Sequence, residues 1–157
     1  IEHREVYKKQ TGGRGKFADI VFNLGPREDD KQGLEFDNKI VGGAIPREFI
    51  PSVQKGFEQA MKNGPLAGYP IEAMYVKLFH GSFHDVDSDS LSFELAARLG
   101  FKDAAKKAAP QLLEPIMSVE VVSPDEYTGP VTGDLNKRRG IMKGMHTPIA
   151  REQGTST

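Results

Sequence analysis

The segment Gly81-Ser82-Phe83-His84-Asp85-Val86-Asp87-Ser88-Asp89 decides how the surrounding chain is organised. Upstream of it, residues 74–80 alternate as a strand does, and downstream, residues 91–99 repeat leucine at helical spacing. Aspartate and serine just before a helix accept hydrogen bonds from its free amides, so residues 87–89 are expected to form the N-cap and first turn. His84 is therefore predicted to lie on a loop between a strand and a helix.

Both flanking elements show a sided pattern. The strand places Tyr75, Lys77 and Phe79 on one face and Met74, Val76 and Leu78 on the other. In the helix, Leu91, Leu95 and Leu99 form one apolar stripe, which is typical of a core-facing side.

The composition is that of a globular chain without special covalent features. It has 157 residues, 38% hydrophobic content, a formal net charge of -1 and no cysteine. A near-neutral chain can meet nucleic acid only through local basic patches. The lack of cysteine excludes disulfides and thiolate metal sites and is typical of a cytoplasmic protein. No apolar run is long enough to span a bilayer, so no membrane partner is expected.

A basic, glycine-rich hairpin is predicted at the start of the chain. Residues 3–10 and 16–24 have strand patterns, and Thr11-Gly12-Gly13-Arg14-Gly15 joins them as a loop in which glycine allows positive φ. From Ile1 to Ala18 there are five Lys or Arg against two Glu. A phosphate-contacting surface requires such a local excess of positive charge.

The pattern of elements up to Pro110 predicts an α+β fold. A third strand over residues 34–40 is followed by a helix from Phe49 to Met61, then by the strand and the helix that flank His84. This order predicts a two-layer α/β sandwich with both helices on one face of the sheet.

A second unit is predicted to follow. Residues 116–122 have a strand pattern, residues 124–139 have helical spacing, and residues 141–145 are expected to begin another strand. The tail, residues 146–157, is polar and aperiodic.

The histidine segment permits two chemical interpretations. His80, His84, Asp85 and Asp87 would resemble metal ligands on a helix, but a strand and a loop do not present them on one face, so no metal site is predicted. Asp85 or Asp87 would instead orient His84 as a general base, as in a hydrolase. The alternative is that the aspartates cap the helix and His84 is a solvated loop residue, which residue types alone favour.

The glycine loop also permits two interpretations. Successive amides from Gly12 to Gly15 would form an anion-binding nest, with Arg14 and Lys16 adding positive charge; the alternative is an ordinary turn. It is not a nucleotide-binding P-loop, because Phe17 follows Gly15-Lys16 where Ser or Thr is needed. The two polar loops are predicted to leave strands at the same end of one sheet.

Six ordered motifs carry a resemblance to a known family. They are Gln10-Thr11-Gly12-Gly13-Arg14-Gly15, Ile40-Val41-Gly42-Gly43-Ala44-Ile45-Pro46, Gly64-Pro65-Leu66-Ala67-Gly68-Tyr69-Pro70, Gly81-Ser82-Phe83-His84-Asp85-Val86-Asp87-Ser88, Leu113-Glu114-Pro115-Ile116-Met117 and Gly133-Asp134-Leu135-Asn136-Lys137-Arg138-Arg139-Gly140. Together they resemble bacterial-type translation elongation factor G over roughly residues 1–144. One departure is Lys16-Phe17-Ala18-Asp19, where common bacterial members have Gln-Tyr-Gly-His.

The resemblance implies a division into domains. Residues 1–114 would form the domain IV arm, which shares its fold, including a left-handed βαβ crossover, with a domain of a small-subunit ribosomal protein. Residues 115–145 would begin the ferredoxin-like domain V, and residues 146–157 match no later motif. The chain would therefore be a fragment of a longer factor.

The resemblance also implies a function in which domain IV enters the decoding region of the small ribosomal subunit and promotes movement of tRNA and mRNA. Its tip would contact the tRNA–mRNA duplex and nearby rRNA. The tip residues would be Gln10, Thr11, Gly12, Gly13, Arg14, Gly15 and Lys16 in one loop and Ser82, Phe83, His84, Asp85, Val86, Asp87 and Ser88 in the other.

No catalytic residue, cofactor or metal is expected in this chain, because GTP and Mg would belong to a GTPase domain of the full-length factor. The remaining domains of that factor are expected partners. The alternatives are a ribosomal protection or recycling paralogue of the same family, or a His/Asp hydrolase.

Overall fold

A computed structural model describes residues 1–10 and 12–146. Thr11 and the tail from residue 147 onward, which both carried predictions, lie outside the described residues. The chain divides into two compact units, the first from Ile1 to Leu113 and the second beginning at Glu114. No described helix is long and apolar enough to cross a membrane.

The first unit consists of a four-stranded sheet and two helices. Its elements are β1 (Glu2–Lys9), β2 (Lys16–Gly25), β3 (Gly33–Asn38), α1 (Ile50–Ala60), β4 (Ala73–Ser82) and α2 (Ser90–Lys107), with a short 3-10 turn at Arg47–Phe49 before α1. The strand order is β1-β2-β4-β3. β2 pairs antiparallel with β1 and β4, whereas β3 pairs parallel with β4. The predicted α+β sandwich is confirmed, with each strand and helix near its predicted position.

The core lies between one face of the sheet and the two helices. Alternating residues of β4 are buried, as a period of two requires for a strand covered on one face, whereas Ala18–Phe22 of β2 are all buried. Phe22 of β2 and Phe57 of α1 meet edge to face, with ring centroids 4.8 Å apart. The buried strand residues are Ala18, Ile20, Phe22, Leu24, Met74, Val76 and Leu78. Of the two faces predicted for β4, the one with Met74, Val76 and Leu78 faces the core.

The predicted leucine stripe of α2 is wrong. Leu91 and Leu99 are 52% and 43% exposed, and α2 instead buries a face of small and aromatic residues. Those residues are Ser92, Phe93, Ala96, Ala97, Gly100, Phe101, Ala104 and Ala105. The reason is the close approach of α1: a methyl group placed on Gly56 would lie 2.7 Å from the Ala97 Cβ. A small-residue face fits that spacing, and leucine does not.

The second unit contains one helix among its described residues. α3 spans Thr128–Lys137 after a short 3-10 turn at Asp125–Tyr127, so the predicted helix is confirmed. The strands predicted at 116–122 and 141–145 are not formed. A strand requires a neighbour for its backbone hydrogen bonds, and the described part of this unit supplies none. Ile116 and Ile141 are accordingly 97% and 89% exposed.

Candidate functional site

Two loops lie side by side at one end of the sheet. The first loop, residues 10–15, joins β1 to β2, and the second loop, residues 83–89, joins β4 to α2. The start of β2 is adjacent to the end of β4, because Asp19 pairs with Ser82 in the antiparallel register. The prediction that both loops leave the same end of one sheet is confirmed. We call the two loops together the tip.

Two hydrogen bonds connect the loops across the tip, and a third joins the second loop to the start of β2. The Arg14 Nε donates to the Val86 carbonyl at 2.9 Å, and the Gly15 amide donates to Asp87 Oδ1 at 3.1 Å. The Phe17 amide donates to the Asp87 carbonyl at 2.9 Å. A methyl group on Gly15 would lie 3.3 Å from the Asp87 carboxyl carbon, so glycine permits this close approach.

Ser88 fixes the second loop to itself and to β2. Its side chain is buried, and its hydroxyl donates to the Phe17 carbonyl at 2.7 Å and accepts from the His84 amide at 2.9 Å. Its own amide donates to the His84 carbonyl at 3.0 Å. Because a buried hydroxyl with both roles satisfied is costly to replace, Ser88 holds the turn in one conformation.

His84 stacks on Phe17. The two ring centroids are 3.8 Å apart and the planes differ by 2°. The residue as a whole is exposed, so Phe17 covers one face of the imidazole and leaves its edge accessible. Within the described residues, neither ring nitrogen of His84 accepts or donates a hydrogen bond, and the Asp87 carboxylate accepts from Gly15 instead. The geometry therefore lacks the His/Asp pair that a hydrolase requires.

Capping of α2 depends on Asp89, not on the earlier residues of the loop. Asp89 Oδ1 accepts from the Ser92 amide and hydroxyl, both at 2.7 Å, and Oδ2 pairs with the Lys16 ammonium. Burial raises the pKa of Asp89, but the bonds from Lys16 and Ser92 outweigh it and lower the pKa to about 2. The prediction that Asp87 and Ser88 also cap the helix is wrong, because the Asp87 carboxylate binds the Gly15 amide of the first loop and the Ser88 hydroxyl binds the Phe17 carbonyl of β2.

Gly15 and Lys16 do not support the interpretation of the glycine-rich segment as an anion-binding nest. The Gly15 amide is bound to Asp87 and the Lys16 ammonium to Asp89, so these groups join the loops instead of attracting an external anion. Lys8, Lys9 and Arg14 are exposed and supply the positive charge on the solvent side of the tip.

Ser82 belongs to β4, although it was predicted to lie on the loop. Its hydroxyl donates to Asp19 Oδ2 at 2.8 Å. Asp19 also accepts from Arg4 through Nε at 3.0 Å and Nη2 at 2.8 Å. Burial raises the pKa of Asp19, but the bonds from Arg4 and Ser82 outweigh it, so the net pKa lies below the usual value. Ser82 therefore supports the tip from beneath.

The solvent-facing part of the tip combines polar residues with two exposed apolar side chains. Phe83 and Val86 are 36% and 68% exposed, which is unusual for apolar side chains on a small polar loop. The exposed tip residues are Gln10, Gly12, Gly13, Arg14, Phe83, His84, Asp85 and Val86. Phe17 was not predicted as a tip residue, and Asp89 was predicted only as a helix cap, although both contact residues about seventy positions away. A glycine loop followed by an aromatic residue was the available signal for Phe17.

Comparison with known proteins assigns the chain to a family. Residues 1–109 match the family described as Elongation factor G, domain IV, and residues 111–155 match Elongation factor G C-terminus. The chain belongs to the elongation factor G family. The resemblance drawn from the six motifs is thus confirmed, and these residues carry domain IV and C-terminal sequence of a translation elongation factor.

Individual relatives agree with this assignment. Elongation factor G of Amoebophilus asiaticus is 79% identical over 145 residues, which are 92% of this chain and 20% of that protein. Elongation factor G of Cytophaga hutchinsonii is 75% identical over 151 residues, 96% of this chain and 22% of that protein. A crystal structure of a Thermus thermophilus protein aligns with a TM-score of 0.72 and 33% identity, covering 93% of this chain and 22% of that one. The chain thus spans about a fifth of the length of these elongation factor G relatives.

Proposed function

We propose that the tip is the surface with which this elongation factor G contacts the ribosome during movement of tRNA and mRNA. In this proposal the tip enters the decoding region of the small subunit and meets the tRNA–mRNA duplex and adjacent rRNA. The observation that supports it best is the fixed pairing of two exposed polar loops by the Arg14, Gly15 and Ser88 hydrogen bonds.

The chemistry of the tip suits an RNA duplex recognised by shape. Exposed cations at Lys8, Lys9 and Arg14 favour phosphate contacts, and the free edge of His84 offers a donor or acceptor for a phosphate or 2'-hydroxyl. Val86 and Phe83 add apolar surface that can lie against a sugar or base. Contacts of these kinds do not depend on base sequence, as a factor that moves every codon requires.

Hydrolysis of GTP is assigned to the full-length factor and not to these residues. GTP and Mg would bind a GTPase domain elsewhere in that factor, which would act in the cytoplasm. In the described residues, the Gly15 amide and the Lys16 ammonium are bound to Asp87 and Asp89 and are not available to hold a phosphate. This chain would contribute the arm that uses the energy of hydrolysis, together with the other domains.

We expect His84→Ala in the full-length factor to slow single-round tRNA–mRNA translocation by about tenfold, equivalent to about 1.4 kcal/mol of barrier. The substitution removes both the imidazole edge and the stack on Phe17. Translocation is followed by stopped-flow fluorescence of labelled mRNA, with GTP hydrolysis measured in parallel. His146→Ala, which removes an exposed histidine far along the chain, is the matched control and should leave both rates unchanged. Normal translocation by His84→Ala would contradict the proposal.

A second variant distinguishes hydrogen bonding from proton transfer. His84→Gln keeps a hydrogen-bonding side chain that does not titrate, so it should retain most of the rate if the contact is made by hydrogen bonding and shape. A loss as large as that of His84→Ala would show that the ring itself is required, either for its stack on Phe17 or for proton transfer.

A further inference from the structure

The helix-facing side of β1 carries polar residues where a core would place apolar ones. His3, Glu5 and Tyr7 are the partly buried positions of this strand, whereas Val6 on the opposite side is 47% exposed. A half-buried strand normally shows the reverse arrangement. The inverted pattern places an imidazole and a carboxylate between β1 and α2.

A third ligand-type group comes from α2. The side chains of His3 and Glu5 are 10% and 18% exposed, and the His3 Nε2 lies 3.1 Å from the Glu5 Oε2. Asp103 on α2 brings a carboxylate oxygen so close that the three donor atoms all lie within 4.8 Å of one another. The cluster is therefore a candidate cation site.

We propose that His3, Glu5 and Asp103 bind a divalent transition-metal ion, with Zn²⁺ as the best fit. Zn²⁺ takes imidazole nitrogen and carboxylate oxygen at about 2.0–2.2 Å, so its ligand atoms lie roughly 3–4 Å apart. The three donors need to move by about 1 Å or less to reach that spacing. The imidazole argues against Mg²⁺ and Ca²⁺, which prefer oxygen ligands, and two carboxylates balance the charge of the ion.

The site is held by rigid elements. His3 and Glu5 are two residues apart on one strand, so they project from the same face. The His3 ring is fixed by an edge contact with Phe22, with centroids 5.7 Å apart. Gly100 lets α2 approach the strand, because a methyl group there would lie 3.0 Å from the Glu5 Cβ. A bound ion would therefore join β1 to α2.

This site is separate from the tip. His3 lies near the start of β1, and the six residues from it to Lys9 extend about 20 Å along the strand. The proposed ion has no part in RNA contact and does not depend on the proposed function.

The test is a titration of the chelator-treated chain with ZnCl₂, followed by thermal unfolding and isothermal calorimetry, and with CoCl₂ as a spectroscopic probe. We expect Zn²⁺ to raise the melting temperature with one ion bound per chain, and Co²⁺ to give visible absorption bands. Asp103→Asn is the principal variant, since Asp103 is exposed and its replacement should leave the fold intact. It should weaken Zn²⁺ binding by at least about tenfold.

His3→Gln is the second variant, and His80→Gln on the same sheet is the matched control. His3→Gln should lose binding and the Co²⁺ bands, whereas His80→Gln should bind as the unmodified chain does. Absence of Zn²⁺ binding in the unmodified chain would overturn the proposal. Binding that persists unchanged in Asp103→Asn and His3→Gln would place the ion elsewhere and would overturn it equally.

Discussion

Gly81→Val is expected to destabilise the first unit by about 3 kcal/mol or more. A methyl group on Gly81 would overlap the carbonyl oxygen of Asp19 on β2 and lie 2.6 Å from the Ile45 Cδ1. The carbonyl belongs to the paired strand and cannot move without breaking the ladder between β2 and β4, and Ile45 is buried. Urea unfolding monitored by circular dichroism measures the change.

Gly25→Ala provides the control for Gly81→Val. Gly25 also lies in a strand of this sheet, but a methyl group there has no atom within 4 Å. Its free energy of unfolding should change by less than about 1 kcal/mol. If Gly81→Val unfolds at the same urea concentration as the unmodified chain, the close packing of β4 against β2 described above is incorrect.

Arg4→Met is expected to lower the stability of the folded chain at neutral pH. The Asp19 side chain is 4% exposed, and Arg4 provides two of its hydrogen bonds. Without the guanidinium, the carboxylate stays buried with the Ser82 hydroxyl as its described partner. We expect less than the full cost of breaking a buried ion pair, because the Arg4 side chain itself is 65% exposed.

Arg4→Met should also reverse the effect of acid on the contribution that Asp19 makes to the stability of the fold. In the unmodified chain its folded pKa lies below 3.8, so its contribution is present above that pH and is lost as the pH falls through the folded value. With Arg4 removed, we expect burial, the largest single influence on the Asp19 pKa, to outweigh Ser82 and His80 and to raise the folded pKa above the unfolded one. The folded variant then binds a proton more tightly than the unfolded chain, so acidification from pH 7 toward about 4 relieves part of the cost.

Urea unfolding of Arg4→Met and the unmodified chain at pH 7 and at about pH 4 tests this reversal. The stability gap between the two should narrow at the lower pH. Lys8→Met removes an exposed cation from the same side of β1 and should give a small, pH-independent change. A gap for Arg4→Met that is constant or widens on acidification would show that Asp19 is not the group responsible.

Local patterns in the sequence were sufficient to predict the elements of the first unit. The alternation around Met74, Val76 and Leu78 is decided by which side of a strand is buried, and glycine and aspartate mark the loops at its end. The prediction of a leucine stripe on α2 failed because Ala96 and Ala97 carry little hydrophobic signal, although both are buried and Ala97 packs against Gly56 of α1. Helix-to-helix distance is a property of the assembled fold.

The internal contacts of the tip were beyond prediction for a different reason. Whether Phe17 stacks on His84, or Lys16 pairs with Asp89, depends on β2 and β4 being neighbours in the sheet. Local sequence does not encode strand order. The same limit applies to residues 116–122, whose strand pattern becomes a strand when a neighbour supplies backbone hydrogen bonds.

The stack of His84 on Phe17 and the hydrogen bond from the Ser88 hydroxyl to Phe17 couple the amino-acid substitutions that the two segments can accept. A substitution that removes the aromatic ring at either position leaves the other side chain without its support, so variation at one should be compensated at the other. We therefore expect substitutions in the two segments of the tip to occur together during evolution, although most of a domain separates the segments in the sequence.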